Sequence, residues 1–441
     1  MGSVPHGERA DYRGRQRALF AGLACLLSLW VCRAARADDE GQELTVYLMT
    51  MGPGAHPFTK FGHSAIWVHD AQRQRDEVYN YGTFAFDSPT LLLDSVQGKL
   101  PYWLSVQSLA GTLRSYGEQG RSLLASELEL TKEQQSALYT ALRENERPEH
   151  RYYRYDYYRD NCATRIRDII DRIVGGKIRA QTAQPASMSY RAHTLRLVAD
   201  DRLLYVGLDL AVGRQTDAPI RFWDEGFLPQ KLHDLLAQTR ISQGGRELPL
   251  IRSERTLLSG QISAPRAQPP HWSTGFLGVG LVAFGAFAGL GFASRPRART
   301  RARTRARFVL GSSYAVLGFV LGLLGSALCY LTFFSAHSAA ASNYNVLLVP
   351  PWSLALGVAG LGIVRKSERA LSLARWTTSA ALIASLLALA LHAFTHNPQS
   401  NGQELCVAIP LWLGATIAAF LASHPVFVRD AEGYDGRGPA R

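Results

Sequence analysis

Cysteine is scarce in this chain, with five among 441 residues. Cys25 and Cys32 lie in an N-terminal apolar segment, and Cys329 and Cys406 lie in or at the edge of later apolar stretches. Residues 38–272 therefore hold one cysteine, Cys162. That region cannot close an internal disulfide. A lone cysteine in an oxidising compartment is either a buried, inert thiol or a reactive one. Other signatures are missing too. There is no P-loop, no dinucleotide fingerprint and no CxxC, and no His/Cys/carboxylate group has metal-ligand spacing. These absences argue against nucleotide-dependent, disulfide-exchange and zinc chemistry and predict neither cofactor nor metal.

What the chain does have is a sharp change of composition. Residues 38–272 are polar and mixed, whereas 275–423 are mostly Leu, Ala, Gly, Val and Phe. Five apolar stretches, at 275–293, 308–334, 346–364, 377–395 and 405–423, each approach the ~20 residues a helix needs to cross a bilayer. The formal charge of +12 would suit nucleic acid or an anionic membrane surface. Its clearest cluster is the arginine run at 295–307, between two apolar stretches, which argues for membrane topology and against nucleic-acid binding. The first and third connections carry this run and Arg365, Lys366, Arg369 and Arg375, whereas 335–345 and 396–404 contain no Lys or Arg. The positive-inside rule then places 38–272 outside the cytoplasm. At the N-terminus, Arg13, Arg15 and Arg17 precede an apolar run over 18–31 and a small-residue site at Ala35-Arg36-Ala37. This reads as a signal peptide or an uncleaved anchor over 1–37. Neither Cys25 nor Cys32 sits in a lipobox. The expected organisation is an extracytoplasmic domain over 38–240, a linker over 241–273, five membrane helices over 274–424 and a cytoplasmic tail over 425–441.

Within the extracytoplasmic part, 44–51 reads as a strand before a Gly-Pro-Gly turn, and 63–69 and 78–84 read as a hairpin. Thr131 caps a helix running to Arg143, with Gln134 at the capping-box position. A tyrosine-rich run at 152–158 leads to Asp160-Asn161-Cys162, and Ile166, Ile169, Ile170 and Ile173 then recur at helical spacing to Gly175-Gly176. With Asn161 as N-cap, Cys162 falls in the first turn, where free backbone N–H groups and the helix dipole favour a thiolate. A nucleophile needs a base. His63, after Phe61-Gly62 at a strand start, is the candidate, and a strand histidine facing a helix-start cysteine is the papain-like arrangement. Asn80 on the neighbouring strand is the candidate for holding its tautomer, with a purely structural hairpin role as the alternative. The other histidines read as surface or capping residues. The tyrosine run reads first as core and second as the lining of an acyl channel.

Three pieces carry a family resemblance: Phe61-Gly62-His63-Ser64-Ala65, Tyr79-Asn80-Tyr81-Gly82-Thr83-Phe84, and Asp160 to Asp168 around Asn161-Cys162. They resemble the DUF4105 family, also called the Lnb N-terminal periplasmic domain family. Gly207-Leu208-Asp209-Leu210, Phe227-Leu228-Pro229 and the stretch from Ser335 through His337 to Asn343-Tyr344-Asn345 fit it as well. The resemblance implies an α+β fold in which a permuted papain-like (NlpC/P60-type) extracytoplasmic domain precedes an all-α five-helix transmembrane domain. It implies N-acylation of bacterial lipoproteins, with Cys162 as nucleophile, His63 as base and Asn80 as third residue. The partners expected are membrane lipid and lipoproteins at the inner membrane. Two rivals stand beside this: a thiol peptidase or amidase acting on cell-wall peptides, and a non-catalytic envelope assembly protein.

Overall fold

The computed structural model describes residues 43–85, 89–296, 298–396 and 398–423. The expected leader, with Cys25 and Cys32, and the expected tail lie outside these residues. The polar half folds around a seven-stranded sheet of order β6-β4-β3-β2-β1-β5-β9. Its first three strands are β1 (Leu44–Met51), β2 (His63–Asp70) and β3 (Arg75–Thr83). The others are β4 (Pro101–Ser108), β5 (Leu123–Leu128), β6 (Tyr152–Arg154) and β9 (Ile251–Leu258). All the pairings are antiparallel. Alternation sends Val46, Leu48, Ile66, Val68, Tyr79 and Tyr81 to one face and Tyr47, Met49, Met51, Ala65, Trp67 and Val78 to the other. Both faces are covered, so β1 reads as a nearly continuous apolar run.

Helices α1 (Leu91–Gln97) and α2 (Leu109–Glu118) flank β4 in the chain, and Leu109, Leu113 and Tyr116 of α2 cover the second face. Helices α3 (Lys132–Glu146), α4 (Cys162–Ile173) and, later, α7 (Pro229–Gln238) cover the first. The expected capping box is present: Gln134 N–H donates to Thr131 Oγ1 at 3.3 Å, and Thr131 N–H donates to Gln134 Oε1 at 3.0 Å. Between α4 and α7 run α5 (Tyr190–Leu197) and α6 (Arg202–Ala211).

The structure corrects two expectations. Much of the stretch expected as linker, 241–273, is folded. Strands β7 (Arg240–Gln243) and β8 (Arg246–Pro249) form a hairpin on Gly244-Gly245, and β9 extends the main sheet beside β5. β9 is an exposed edge carrying Arg252, Glu254 and Arg255, so it lacks the apolar alternation that marks a half-buried strand. The second correction concerns the spans. Four helices among the described residues are long and apolar enough to cross a membrane: α8 (Ser273–Ser294), α9 (Thr300–Phe333), α11 (Glu368–Phe394) and α12 (Gly402–Ser423). The expected third span is the 12-residue α10 (Ser353–Val364), about 18 Å long at 1.5 Å per residue against ~30 Å of hydrocarbon. Pro350 and Pro351 stop the helix from starting earlier. Close glycine contacts nevertheless hold the whole stretch antiparallel to α9, with Gly318 against Gly357 and Gly325 against Val349.

The connections sort as their charges do. The basic ones meet at one end, where Arg307 pairs with Glu368 at 2.9 Å. Those without Lys or Arg meet at the other, where Gln399 Nε2 donates to Asn343 Oδ1 at 2.9 Å. The sheet domain sits on this second end. Asn343 and Asn345 donate to the carbonyls of Leu210, Ala211 and Asp209 at the end of α6. Arg191, fully buried, pairs with Asp209 at 2.8 Å and Asp217 at 2.9 Å beneath the same junction.

Candidate functional site

The cysteine is set by its helix. Asn161 Oδ1 accepts from the N–H groups of Ala163 and Thr164, both at 2.9 Å, while its amide donates to Tyr157 O and Phe227 O, both at 2.9 Å. Thr164 Oγ1 accepts from Asn161 N–H at 2.7 Å. Every polar group of the cap is thus engaged in a buried setting, which fixes the first turn. Cys162 shares its helix face with Ile166, Ile169 and Ile170, and their packing on the sheet presses the thiol against the strand ends.

His63 opens β2, opposite Met51. Gly62 before it has φ +78°, and a Cβ there would stand 2.7 Å from Met51 O, so the approach requires glycine. His63 Nε2 lies 3.2 Å from Asn80 Oδ1, and Asn80 Nδ2 donates to Val78 O at 3.0 Å. That second bond turns the amide oxygen to the ring. Nε2 then carries the proton and donates it to Asn80, leaving Nδ1 as the basic nitrogen. The tautomer-holding role expected for Asn80 therefore has its geometry.

By strand alternation His63 and Asn80 lie on the α2 face, whereas α4 covers the other. Cysteine and histidine line the same cavity at the end of the sheet. Pairing of β2 with β3 begins only at Ile66↔Tyr79, and β3 is irregular between Asn80 and Thr83. Gly82, at φ +87°, fills this irregularity. A Cβ on it would stand 3.7 Å from Cys162 Cβ and 3.2 Å from the Tyr155 ring.

The electrostatics differ from the expectation of a lowered thiol pKa. Burial raises the Cys162 thiol above its ordinary value, although the N–H groups of Ser64, Ala163 and Cys162 and the Tyr155 hydroxyl act to lower it. Burial and the nearby Arg121 charge bring His63 down to about 4, against the opposing bond to Asn80. At neutral pH the pair is thiol and neutral imidazole, so a proton has to move from sulfur to nitrogen when the thiol attacks. Of the N–H groups at the helix start, that of Ala163 donates to Asn161 Oδ1 at 2.9 Å, whereas that of Cys162 acts on the thiol.

Arg121 went unread in the sequence, because nothing in its turn before β5 marks it. It is 4% exposed, donates from Nε to Gly52 O at 2.9 Å and stacks on Tyr116, yet its Nη2 has no hydrogen-bond partner. The hydroxyls of Ser64 and Tyr153 are likewise buried without partners. None of the three lines the cavity, but the Arg121 charge bears on both His63 and Cys162.

Cys162 and His63 line one cavity of about 390 Å³. Of the tyrosine run, Tyr155, Tyr157 and Tyr158 line it too, and Tyr153 packs on the core. Phe58, Phe84 and Phe227 add aromatic wall. The cavity crosses between domains: Leu204 and Leu208 of α6 line it, and so do Leu331 of the span α9 and His337 and Ala340 of the loop beyond. His337 stacks on Tyr157 and bonds Ser95 O at 2.6 Å. Asn343 and Asn345 instead serve the domain junction.

Two family models match the chain, the Lnb N-terminal periplasmic domain over 32–201 and the Lnb transmembrane domain over 299–423. The chain belongs to the Lnb family. Its architecture is therefore that of a membrane protein with an extracytoplasmic domain. Cys162, His63 and Asn80 all fall within the first Lnb match, and Leu331, His337, Asn343 and Asn345 within the second. No curated protein and no solved structure matches the chain. Among the described residues no group of His, Cys, Asp and Glu is arranged to hold a metal ion. The other histidines of 43–240 are engaged elsewhere: His56 caps a short turn, and His69, His150, His193 and His233 pair with carboxylates.

Proposed function

We propose that this Lnb protein is a cysteine-dependent acyltransferase that moves an acyl chain from a glycerolipid, or from a lipoprotein's diacylglyceryl ester, to a lipoprotein α-amine. The observation that carries the reading is the shared cavity: one largely apolar chamber lined both by the Cys162–His63 pair and by a residue of a membrane span. A volume of about 390 Å³ is in the range of small-molecule pockets. An apolar and aromatic wall suits an acyl chain, whereas a wall peptide would leave its polar groups unpaired there.

In this mechanism His63 Nδ1 takes the Cys162 proton as sulfur attacks the ester carbonyl. The tetrahedral oxyanion forms beside Cys162 N–H and the Ser64 N–H that faces the sulfur, within reach of the Arg121 charge. Collapse breaks the ester C–O bond, and the leaving alkoxide takes the proton back from the imidazolium. The thioester then meets a neutral amine, whose reference pKa of about 7.7–8 makes that form accessible near neutrality. Its attack expels the Cys162 thiolate, and His63 carries the amine proton to the sulfur. Asn80 holds the imidazole throughout and touches no reacting atom. A strand histidine meeting a helix-start cysteine supports a permuted NlpC/P60-type reading of the fold. The basic connections support an inner-membrane orientation with this domain outside.

Cys162→Ala should abolish N-acylation in cells while the protein still accumulates in the membrane. Mass spectrometry of lipoprotein N-termini reads the result, and undiminished N-acylation in that variant overturns the proposal.

A further inference from the structure

We infer that α1 is a membrane-seated foot of the extracytoplasmic domain, lying in the outer lipid interface with Leu92, Leu93 and Val96 turned into the bilayer. The seven residues Leu91-Leu92-Leu93-Asp94-Ser95-Val96-Gln97 include no buried side chain. Leu92 is 81% exposed, Leu93 58% and Val96 48%. In a water-soluble setting this is a costly use of three large apolar side chains on one short helix.

The position of the helix says what covers it. Its C-terminal end is bonded to the chain as it leaves span α9: Ala336 N–H donates to Gln97 O at 2.8 Å, and His337 Nε2 lies 2.6 Å from Ser95 O. Gly98, which ends the helix, packs against the Ala336 backbone. The last residues of α9 and its cap, Phe333 and Phe334, are themselves exposed at 65% and 73%. The apolar surface of α1 is thus continuous with the lipid-facing end of a span. Exposed Lys99 follows directly, a cation at the headgroup level beside an apolar face. The one charged side chain of the helix, Asp94, accepts from the Thr90 hydroxyl at the N-terminal end of the helix. The partner is therefore a lipid surface.

This deepens the acyl-transfer reading and rests on it for its purpose only. Since His337 joins α1 to the cavity wall, seating α1 in lipid would fix the height of the Cys162 chamber above the leaflet that supplies the acyl chain.

The test uses the full chain in phosphatidylethanolamine–phosphatidylglycerol nanodiscs. A Leu93→Cys variant, with all five native cysteines (Cys25, Cys32, Cys162, Cys329 and Cys406) replaced by Ala, carries an environment-sensitive fluorophore at position 93. Nitroxide-labelled phospholipid should quench it as strongly as the same probe at Phe333, and at least about threefold more than at Glu247 on the far hairpin. Quenching at 93 equal to that at 247 overturns the inference. So does protection of the probe that appears only as protein concentration rises, which would point to a second copy. A Leu92→Asp/Leu93→Asp variant should lower N-acylation in bilayers roughly tenfold or more, with alkylation of Cys162 in detergent unchanged. Lipid quenching needs no catalysis, so quenching at position 93 alongside a Cys162-bearing native chain that acylates nothing in the same nanodiscs would sink the acyltransferase reading and leave the foot standing.

Discussion

Cys162 and His63 titrate away from each other's reach. Burial raises the thiol and depresses the imidazole to about 4, so the working form is the neutral pair. The sign follows directly. His63 is a free base above about 4 and is lost to protonation below it. The acid limb of kcat/KM should therefore fall near pH 4, well under the ordinary histidine value of about 6.5. Arg121→Gln removes the cation that helps hold His63 down and should move that limb upward, with Arg121→Lys restoring part of the shift. An acid limb that stays put in Arg121→Gln would remove Arg121 from the electrostatics of the site. At this scale the sequence was informative where chemistry leaves a local mark. Asn161 before Cys162 is a capping pattern, and Gly62 before His63 marks a close approach. Arg121 leaves no such mark, because its role comes from the adjacency of β5, β1 and β2, which brings residues distant in the chain side by side. The sign of the thiol shift was also hidden. The helix start lowers it as expected, but burial is a tertiary quantity and outweighs it.

Among the elements, the start of β2 is the most exacting. Gly62→Ala would place a Cβ 2.7 Å from Met51 O at a positive φ, which costs about 1–3 kcal/mol and shifts His63 from its place opposite Met51. A lowered melting temperature together with a fall in kcat larger than that of Phe61→Leu would be the signature. Unchanged melting would show that the strand start is more yielding than its geometry implies. The strands around this point were readable because their alternation or apolar runs are dictated by burial on both faces. β9 escaped because an exposed edge can be charged throughout and still pair. Its neighbouring hairpin did carry a signal, the Gly244-Gly245 turn. The third apolar stretch misled in the opposite way. Hydropathy reports composition over 346–364, whereas Pro350-Pro351 decides where helix begins.

For the whole molecule the junction between domains matters as much as either domain. A helix leaves its last carbonyls without intrahelical partners. At α6 these are met by Asn343 and Asn345 from the membrane domain and by buried Arg191. The Asn343→Ala/Asn345→Ala variant should orphan the Leu210 and Ala211 carbonyls at about 1–3 kcal/mol per group, while Arg191 keeps that of Asp209. Protease sensitivity across the 259–272 segment should then rise and N-acylation fall, with Cys162 still alkylated in detergent. Unaltered protease sensitivity would mean that the junction is held by its apolar contacts alone. No local pattern in the sequence announces this junction, since a helix end and a distant loop meet only after both domains have folded.

The junction also has a chronology. The carbonyls at the end of α6 are synthesised long before the asparagines that satisfy them, and the chamber wall supplied by Leu331 and His337 arrives in the same late segment. At ordinary elongation rates the nascent domain waits on the order of ten seconds for these groups. Until they emerge, the cavity beside Cys162 lacks one side. It is closed only after the membrane helices beside it have been made, and unfinished chains carry no enclosed site.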